Sequence, residues 1–213
     1  MKTVYFFSGL GADERVFQFL DLSFCKPVFI QWNLPLENES IEDYASRLLE
    51  QIKDEAPILI GVSFGGMMAV EVVKLITTEK VILISSAKSK HEIPFYFKAA
   101  GKIHAHKFIP TSLLQNFNRI NNFLFGVKTE EEKVLLKSII QETNPQFLEW
   151  AMDKIMHWQN ECIPNKLVHI HGSNDKILPI NFVKADIMIE NGTHFMIVQH
   201  SLEIGKIMKA SLN

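Results

Sequence analysis

The sequence is poor in the features that mark special classes of protein. Only two of its 213 residues are cysteine, Cys25 and Cys162. They are far apart and match no zinc or redox spacing, so reduced thiols in a cytoplasmic protein are the expectation. No apolar run reaches about 18 residues, which excludes a helix long enough to cross a bilayer. Neither sign of charge is in excess: 22 Lys and Arg stand against 24 Asp and Glu, a net charge of −2. Nothing there favours nucleic acid or an anionic lipid surface. Internal repeats and low-complexity tracts are absent. Tyr and Trp are scarce at three each, while Phe is abundant at 16. That excess calls for a thick apolar core, an apolar pocket, or both. A chain of this length can bury a core without disulfides or metal, as one domain or as one domain with an insertion.

Short apolar runs punctuate the chain at 2–7 (KTVYFF), 27–32 (PVFIQW), 57–61 (PILIG), 80–85 (KVILIS), 166–171 (KLVHIH) and 185–189 (ADIMI). They are continuous rather than alternating, as expected of strands buried on both faces. Helical patterns separate them. Residues 40–54 open on Ser40 and Asp43, a capping-box-like start, with Ile41, Tyr44, Ala45, Leu48, Leu49 and Ile52 on one stripe. Residues 64–77 and 195–210 also have helical patterns. Strand and helix in alternation predict a parallel sheet with right-handed crossovers. The first ten residues resemble a short signal peptide, but the single Lys and the Asp13-Glu14-Arg15 that follows suit a buried first strand better.

The alternation stops between residues 88 and 165. This stretch predicts helices at 95–108, 111–125, 130–141 and 144–159, the last opened by Asn144 and Pro145. It carries 10 basic and 8 acidic residues, whereas residues 1–87 carry 7 and 12. Ten of the 22 aromatics fall in it. The expected organisation is a core of residues 1–87 and 166–213 with a helical cap, 88–165, inserted between the fourth and fifth strands.

Gly61-Val62-Ser63-Phe64-Gly65-Gly66 follows the strand PILI and precedes a helix. This is G-x-S-x-G in the strand–turn–helix setting it requires. The turn is sharp enough to strain the Ser backbone, and the flanking positions must be small because strand and helix nearly touch. Ser63 Oγ is then lifted to the top of the sheet. A Ser hydroxyl needs a base, and the base an orienting acid. Asp175, in HGSND, lies just past the strand KLVHIH, and His194, in NGTHF, just past ADIMI. Both fall at strand C-termini, the edge where open α/β sheets bind ligands. Taken singly, Asp175 also suits a turn and His194 a helix cap. An oxyanion would need N–H donors: the backbone of Phe64, and that of Leu10 in Ser8-Gly9-Leu10-Gly11 after the first strand. Gly9-x-Gly11 begins a dinucleotide fingerprint, but its sixth position is Glu14, so that reading fails.

With SGLGAD at residue 8, GVSFGG at 61–66, HGSNDKILP at 171–179 and GTHF at 192–195, nearly the whole chain resembles a small serine hydrolase of the α/β-hydrolase superfamily. The resemblance selects Asp175 over Asp186 as the acid and implies a helical cap at 88–165. It implies an α/β-hydrolase fold whose usual first two strands are missing: about six parallel strands in the order 2-1-3-4-5-6. It also implies that no cofactor or metal is needed. One departure stands out: Ser8 occupies a position where the family often has His.

The expected activity is hydrolysis of a small, largely apolar carboxylic ester through an acyl-enzyme, with Ser63, Asp175 and His194 as triad. Cap residues such as Phe95, Phe97, Phe123, Phe125, Phe147, Trp150, Met152, Met156 and Trp158 must bury themselves, mostly against the core, with some roofing Ser63. Leu10 and Phe64 are expected as the pocket floor. Alternatives on the same triad are a thioesterase, an amidase, a carbon–carbon hydrolase or a lyase. A catalytically silent small-ligand-binding protein is the alternative of another class, and a lipase working at a lipid surface has no specific support. His169 and His171 share a strand face and suit sheet packing better than metal ligation. His104 and His106 are expected to be solvated, and Glu130, Glu131 and Glu132 to start a helix. The partner is a small-molecule ester, not nucleic acid, and no motif encodes the oligomeric state.

Overall fold

A computed structural model describes residues 1–103 and 119–212. His104, His106 and parts of the helices expected over 95–108 and 111–125 lie outside them. Six parallel strands form one sheet in the order β2-β1-β3-β4-β5-β6, as expected. They are β1 (Thr3–Phe7), β2 (Lys26–Phe29), β3 (Ile58–Val62), β4 (Lys80–Ile84), β5 (Leu167–Gly172) and β6 (Ile187–Ile189). Every residue of β3 is buried, and its neighbours β1 and β4 are buried at four positions of five. The unbroken apolar runs therefore sit at the sheet centre. Pro27, which cannot donate to a ladder, lies on the edge strand β2.

Around the sheet lie α1 (Ile41–Leu48), α2 (Phe64–Val73), α3 (Phe95–Lys102), α4 (Arg119–Phe125), α5 (Glu130–Glu142), α6 (Pro145–His157), α7 (Met196–Gln199) and α8 (Ser201–Ser211). Helix α1 buries Ile41, Tyr44, Ala45 and Leu48, the stripe seen in the sequence. Its cap differs in detail: Ser40 Oγ accepts from Asp43 N at 3.0 Å and donates to the Asp43 carboxylate at 2.6 Å. The acidic run opens α5 with a full capping box between Thr129 and Glu132. Asn144 Oδ1 caps α6 by accepting from Gln146 N and Phe147 N. The helix expected over 195–210 is broken at His200, whose ψ of 29° takes it out of helical geometry.

The sheet separates two apolar clusters. Tyr5 and Phe7 face one, built with α1, α2 and α6; Val4 and Phe6 face the other, built with the turn Glu14–Phe17 and helices α7 and α8. Each fully buried large side chain contributes about 1.5–3 kcal/mol. The first cluster is aromatic at its heart: Trp32, Tyr44, Phe64, Phe147 and Trp150 meet at centroid distances of 4.4–6.4 Å. Helix α6 is thus bonded onto the sheet's helical layer. Its C-terminal neighbour Trp158 donates from Nε1 to Glu71 Oε1 on α2 at 2.7 Å. Among the described residues, no helix is long and apolar enough to cross a membrane.

Candidate active site

Ser63 stands between β3 and α2 with φ 52° and ψ −121°, a strained conformation for a side-chain-bearing residue. Its N–H donates to Ile84 O at 2.9 Å, and its carbonyl accepts from Ser86 Oγ at 2.6 Å. The glycines make this turn possible. A Cβ on Gly61 would lie 2.4 Å from Gly66 Cα, and one on Gly65 would lie 2.1 Å from Ser8 O. Strand, helix and the loop after β1 therefore touch backbone to backbone.

The structure brings Ser63, Asp175 and His194 together. His194 Nε2 is 2.9 Å from Ser63 Oγ, and His194 Nδ1 is 2.7 Å from Asp175 Oδ2. The other carboxylate oxygen of Asp175 accepts from Ile177 N at 2.9 Å and Leu178 N at 2.8 Å. Burial alone would raise the Asp175 pKa. The adjoining His194, the Leu178 N–H and His171 outweigh it and hold the carboxyl below its usual value. An ionised carboxylate only accepts, so the shared proton belongs on His194 Nδ1, leaving Nε2 to accept from the Ser63 hydroxyl. Asp186 sits just before β6, where its carboxylate accepts from His169 N at 2.8 Å. That end of the strand is remote from the C-terminal edge.

The loop after β1 lies against the elbow: a Cβ on Gly9 would be 3.6 Å from Ser63 Cβ. Among the described residues, the N–H groups of Leu10 and Phe64 donate to no protein acceptor. Ser8, at the position where His is common, braces the loop. Its hydroxyl donates to Ala12 O at 2.6 Å and accepts from Trp32 Nε1 at 2.9 Å. Thr143, at the end of α5, donates to Gly11 O at 3.1 Å.

A cavity of about 400 Å³ opens at Ser63 and His194. Of the described side chains that line it, only those two are polar. Phe97, Phe125, Met152 and Met156 form part of its wall. Two expectations are corrected. Phe64 contributes no floor: its ring is buried among Trp32, Phe147 and Trp150, and it is not among the residues that line the cavity. Phe95 and Phe123 are not buried; they are 70% and 62% exposed. Phe95 meets Tyr96 edge-on and Phe182 at a tilt, and Phe123 lies under Lys176 Nζ at 3.7 Å. Phe147, Trp150 and Trp158 pack into the core instead of the pocket.

Several further groups support the site. Phe125 packs edge-on against His194 at a centroid distance of 5.6 Å. Gly126, with φ +71°, lets α4 end against Thr193, which a Cβ would strike at 2.5 Å. His171 Nε2 donates to Leu178 O at 2.7 Å, beneath the turn that carries Asp175. His169 Nε2 donates to Ser86 O at 2.9 Å. Both rings are fully buried sheet residues. Burial pushes the His169 pKa down to about 3, with His171 and Lys88 adding to the effect.

No protein-family model matches the sequence, and no curated protein matches it. Solved structures do resemble it. A lipase-esterase related protein from Clostridium acetobutylicum superposes with a TM-score of 0.72 at 16% identity, covering 98% of this chain and 93% of that one. A hydrolase from Pseudomonas aeruginosa gives 0.73 at 11% identity, covering 100% and 90%. An enol-lactonase from Burkholderia xenovorans gives 0.65 at 13% identity, covering 99% and 91%. With its parallel sheet, strained elbow after β3 and strand order, the chain has the α/β-hydrolase fold.

Proposed function

We propose that the chain is a serine hydrolase that cleaves a small, largely apolar carboxylic ester through an acyl-enzyme. The observation that carries this reading is the hydrogen-bonded line Ser63–His194–Asp175, with steps of 2.9 and 2.7 Å, at the base of an apolar cavity. Ser63 Oγ attacks the carbonyl carbon as its proton passes to His194 Nε2. The N–H groups of Leu10 and Phe64 receive the oxyanion, each worth about 10²–10³ in rate. Asp175 stabilises the imidazolium. Collapse breaks the bond to the alkoxy oxygen, which leaves with the proton from His194. Water then gives a proton to His194 and attacks the acyl carbon, and Ser63 departs reprotonated. Residues 88–165 act as the cap that encloses the substrate's apolar groups.

Labelling with a fluorophosphonate, followed by peptide mapping, tests the reading. Label is expected on Ser63 alone and none on Ser63→Ala, whose ester turnover falls by about 10⁴ or more. Label elsewhere, or a Ser63→Ala enzyme within tenfold of wild type, overturns it.

A further inference from the structure

We propose that Ser63 stands at the junction of two apolar arms of the cavity, one for each side of a neutral ester, and that Met152 and Ile140 limit their lengths. This rests on the ester-hydrolase reading above. The cavity straddles the C-terminal edge of the sheet, because its walls come from both clusters that the sheet separates. Leu10, Phe97 and Ile155 pack against the first cluster. Ala12, Val16, Ile139 and Ile197 belong to the second. Ser63 follows β3, the strand between those faces, so the scissile carbonyl lies where the two walls meet. An ester has two substituents at that carbonyl, and the site has one wall for each.

The geometry at His194 tells the arms apart. The departing alkoxy oxygen must lie within hydrogen-bond reach of His194 Nε2. The ring packed on His194 is Phe125. Phe125 and Ile140 pack together around Leu136 and Phe195, beside the second cluster. The alcohol portion therefore enters the arm closed by Ile140. The acyl chain takes the arm beneath α3 and α6, where Met152 lies one turn from Ile155. No Lys, Arg, Asp or Glu among the described residues lines either arm. A carboxylate or phosphate placed in one would be buried without a partner. The substrate class is thus an ester uncharged on both sides.

Two ester series separate the arms: methyl esters of straight-chain acids from acetate to octanoate, and alkyl acetates from methyl to octyl. Each enzyme is read as a ratio of kcat/KM, long over short, which does not depend on the folded fraction. Met152→Trp is expected to lower the hexanoate-to-acetate ratio about 250-fold, at about fourfold for each of the excluded methylenes. Its hexyl-to-methyl ratio stays within threefold. Ile140→Trp is expected to do the reverse. If either Trp variant fails to fold, Met152→Phe and Ile140→Phe give the same crossed pattern at smaller amplitude. Both ratios falling together, neither moving, or the two responses exchanged would overturn the proposal. So would hydrolysis of monomethyl succinate within tenfold of methyl pentanoate. A wild-type enzyme that takes the fluorophosphonate at Ser63 but hydrolyses no member of either series defeats the ester reading itself, and the arms with it.

Discussion

Replacing Ser8 by Ala, alone and with Trp32→Phe, probes how this chain holds the loop after β1, which carries the proposed oxyanion donor Leu10. The Ser8 hydroxyl bonds Ala12 O at 2.6 Å, and Trp32 Nε1 reaches both Ser8 Oγ at 2.9 Å and Ala12 O at 3.1 Å. The three groups form a closed triangle. Removing Ser8 Oγ leaves the Trp32 N–H bonded to Ala12 O, so nothing is stranded. The expected loss is that of an ordinary hydrogen bond, about 1 kcal/mol. Removing the indole N–H leaves Ser8 still donating to Ala12 O, again about 1 kcal/mol, plus lost ring packing. Removing both strands the Ala12 carbonyl, on a residue that is only 7% exposed. An unpaired buried acceptor costs about 1–3 kcal/mol more. The double variant should therefore be less stable than the sum of the singles by about 1–2 kcal/mol, measured by urea unfolding in a double-mutant cycle. The Leu10 N–H rides on this loop, so kcat should follow the same non-additive order while KM moves less. A double variant additive within about 0.5 kcal/mol would show that the triangle does not act as a unit, and the account of loop rigidity would fail.

Gly65→Ala should cost about 3 kcal/mol and about a hundredfold in kcat/KM, because its Cβ would stand 2.1 Å from Ser8 O and 2.3 Å from Phe7 O and must displace backbone beside the proposed oxyanion donors. A thermally intact Gly65→Ala enzyme within threefold of wild type would contradict that contact. His169 is neutral when folded and has its pKa lowered from 6.5 to about 3, so the unfolded chain takes up the proton first. Stability is full above pH 6.5 and declines as pH falls, by about 2–3 kcal/mol between pH 6.5 and 4.5 from this residue, in a window above that where Asp175 titrates. Denaturant midpoints over that range should lose much of their slope in His169→Gln, and an unchanged slope would mean that His169 is not the group responsible.

The sheet and the elbow were legible because their signals are local. A strand buried on both faces is apolar along its buried stretch, and 58–60 and 81–84 are. A turn in which strand and helix touch backbone to backbone must carry glycine at fixed offsets, and Gly61, Gly65 and Gly66 do. Asp175 and His194 could be found because each follows a recognisable strand, so the parallel order alone placed both at one edge. The stretch expected as a cap obeyed no such rule. Its helices were visible by periodicity and caps, yet where each face would rest depended on partners more than 100 residues away, as with Trp150 Nε1 donating to Glu39 O and Thr143 to Gly11 O. Phe95 and Phe123 were expected inside on hydrophobicity, but it is Phe97 on α3 and Phe125 on α4 that line the cavity.

Position 64 shows why a residue's role and its side chain must be argued separately. The elbow requires only that residue 64 offer its N–H beside Ser63 and begin α2. Its side chain is left to the opposite requirement, that of filling the helical layer, and a Phe there meets Trp32, Phe147 and Trp150 at 5.7, 6.1 and 6.1 Å. The same ring contacts tie α6 to the elbow, and α6 carries Met152, Ile155 and Met156 on the cavity wall. One residue thus couples the proposed oxyanion donor to the placement of α6. The consequence is directional: truncating the Phe64 ring should shift the α6 wall and substrate selectivity before it touches the proposed triad, because the Ser63–His194–Asp175 line is held at the ends of β3, β5 and β6, and the ring's aromatic partners Trp32, Phe147 and Trp150 lie on none of them.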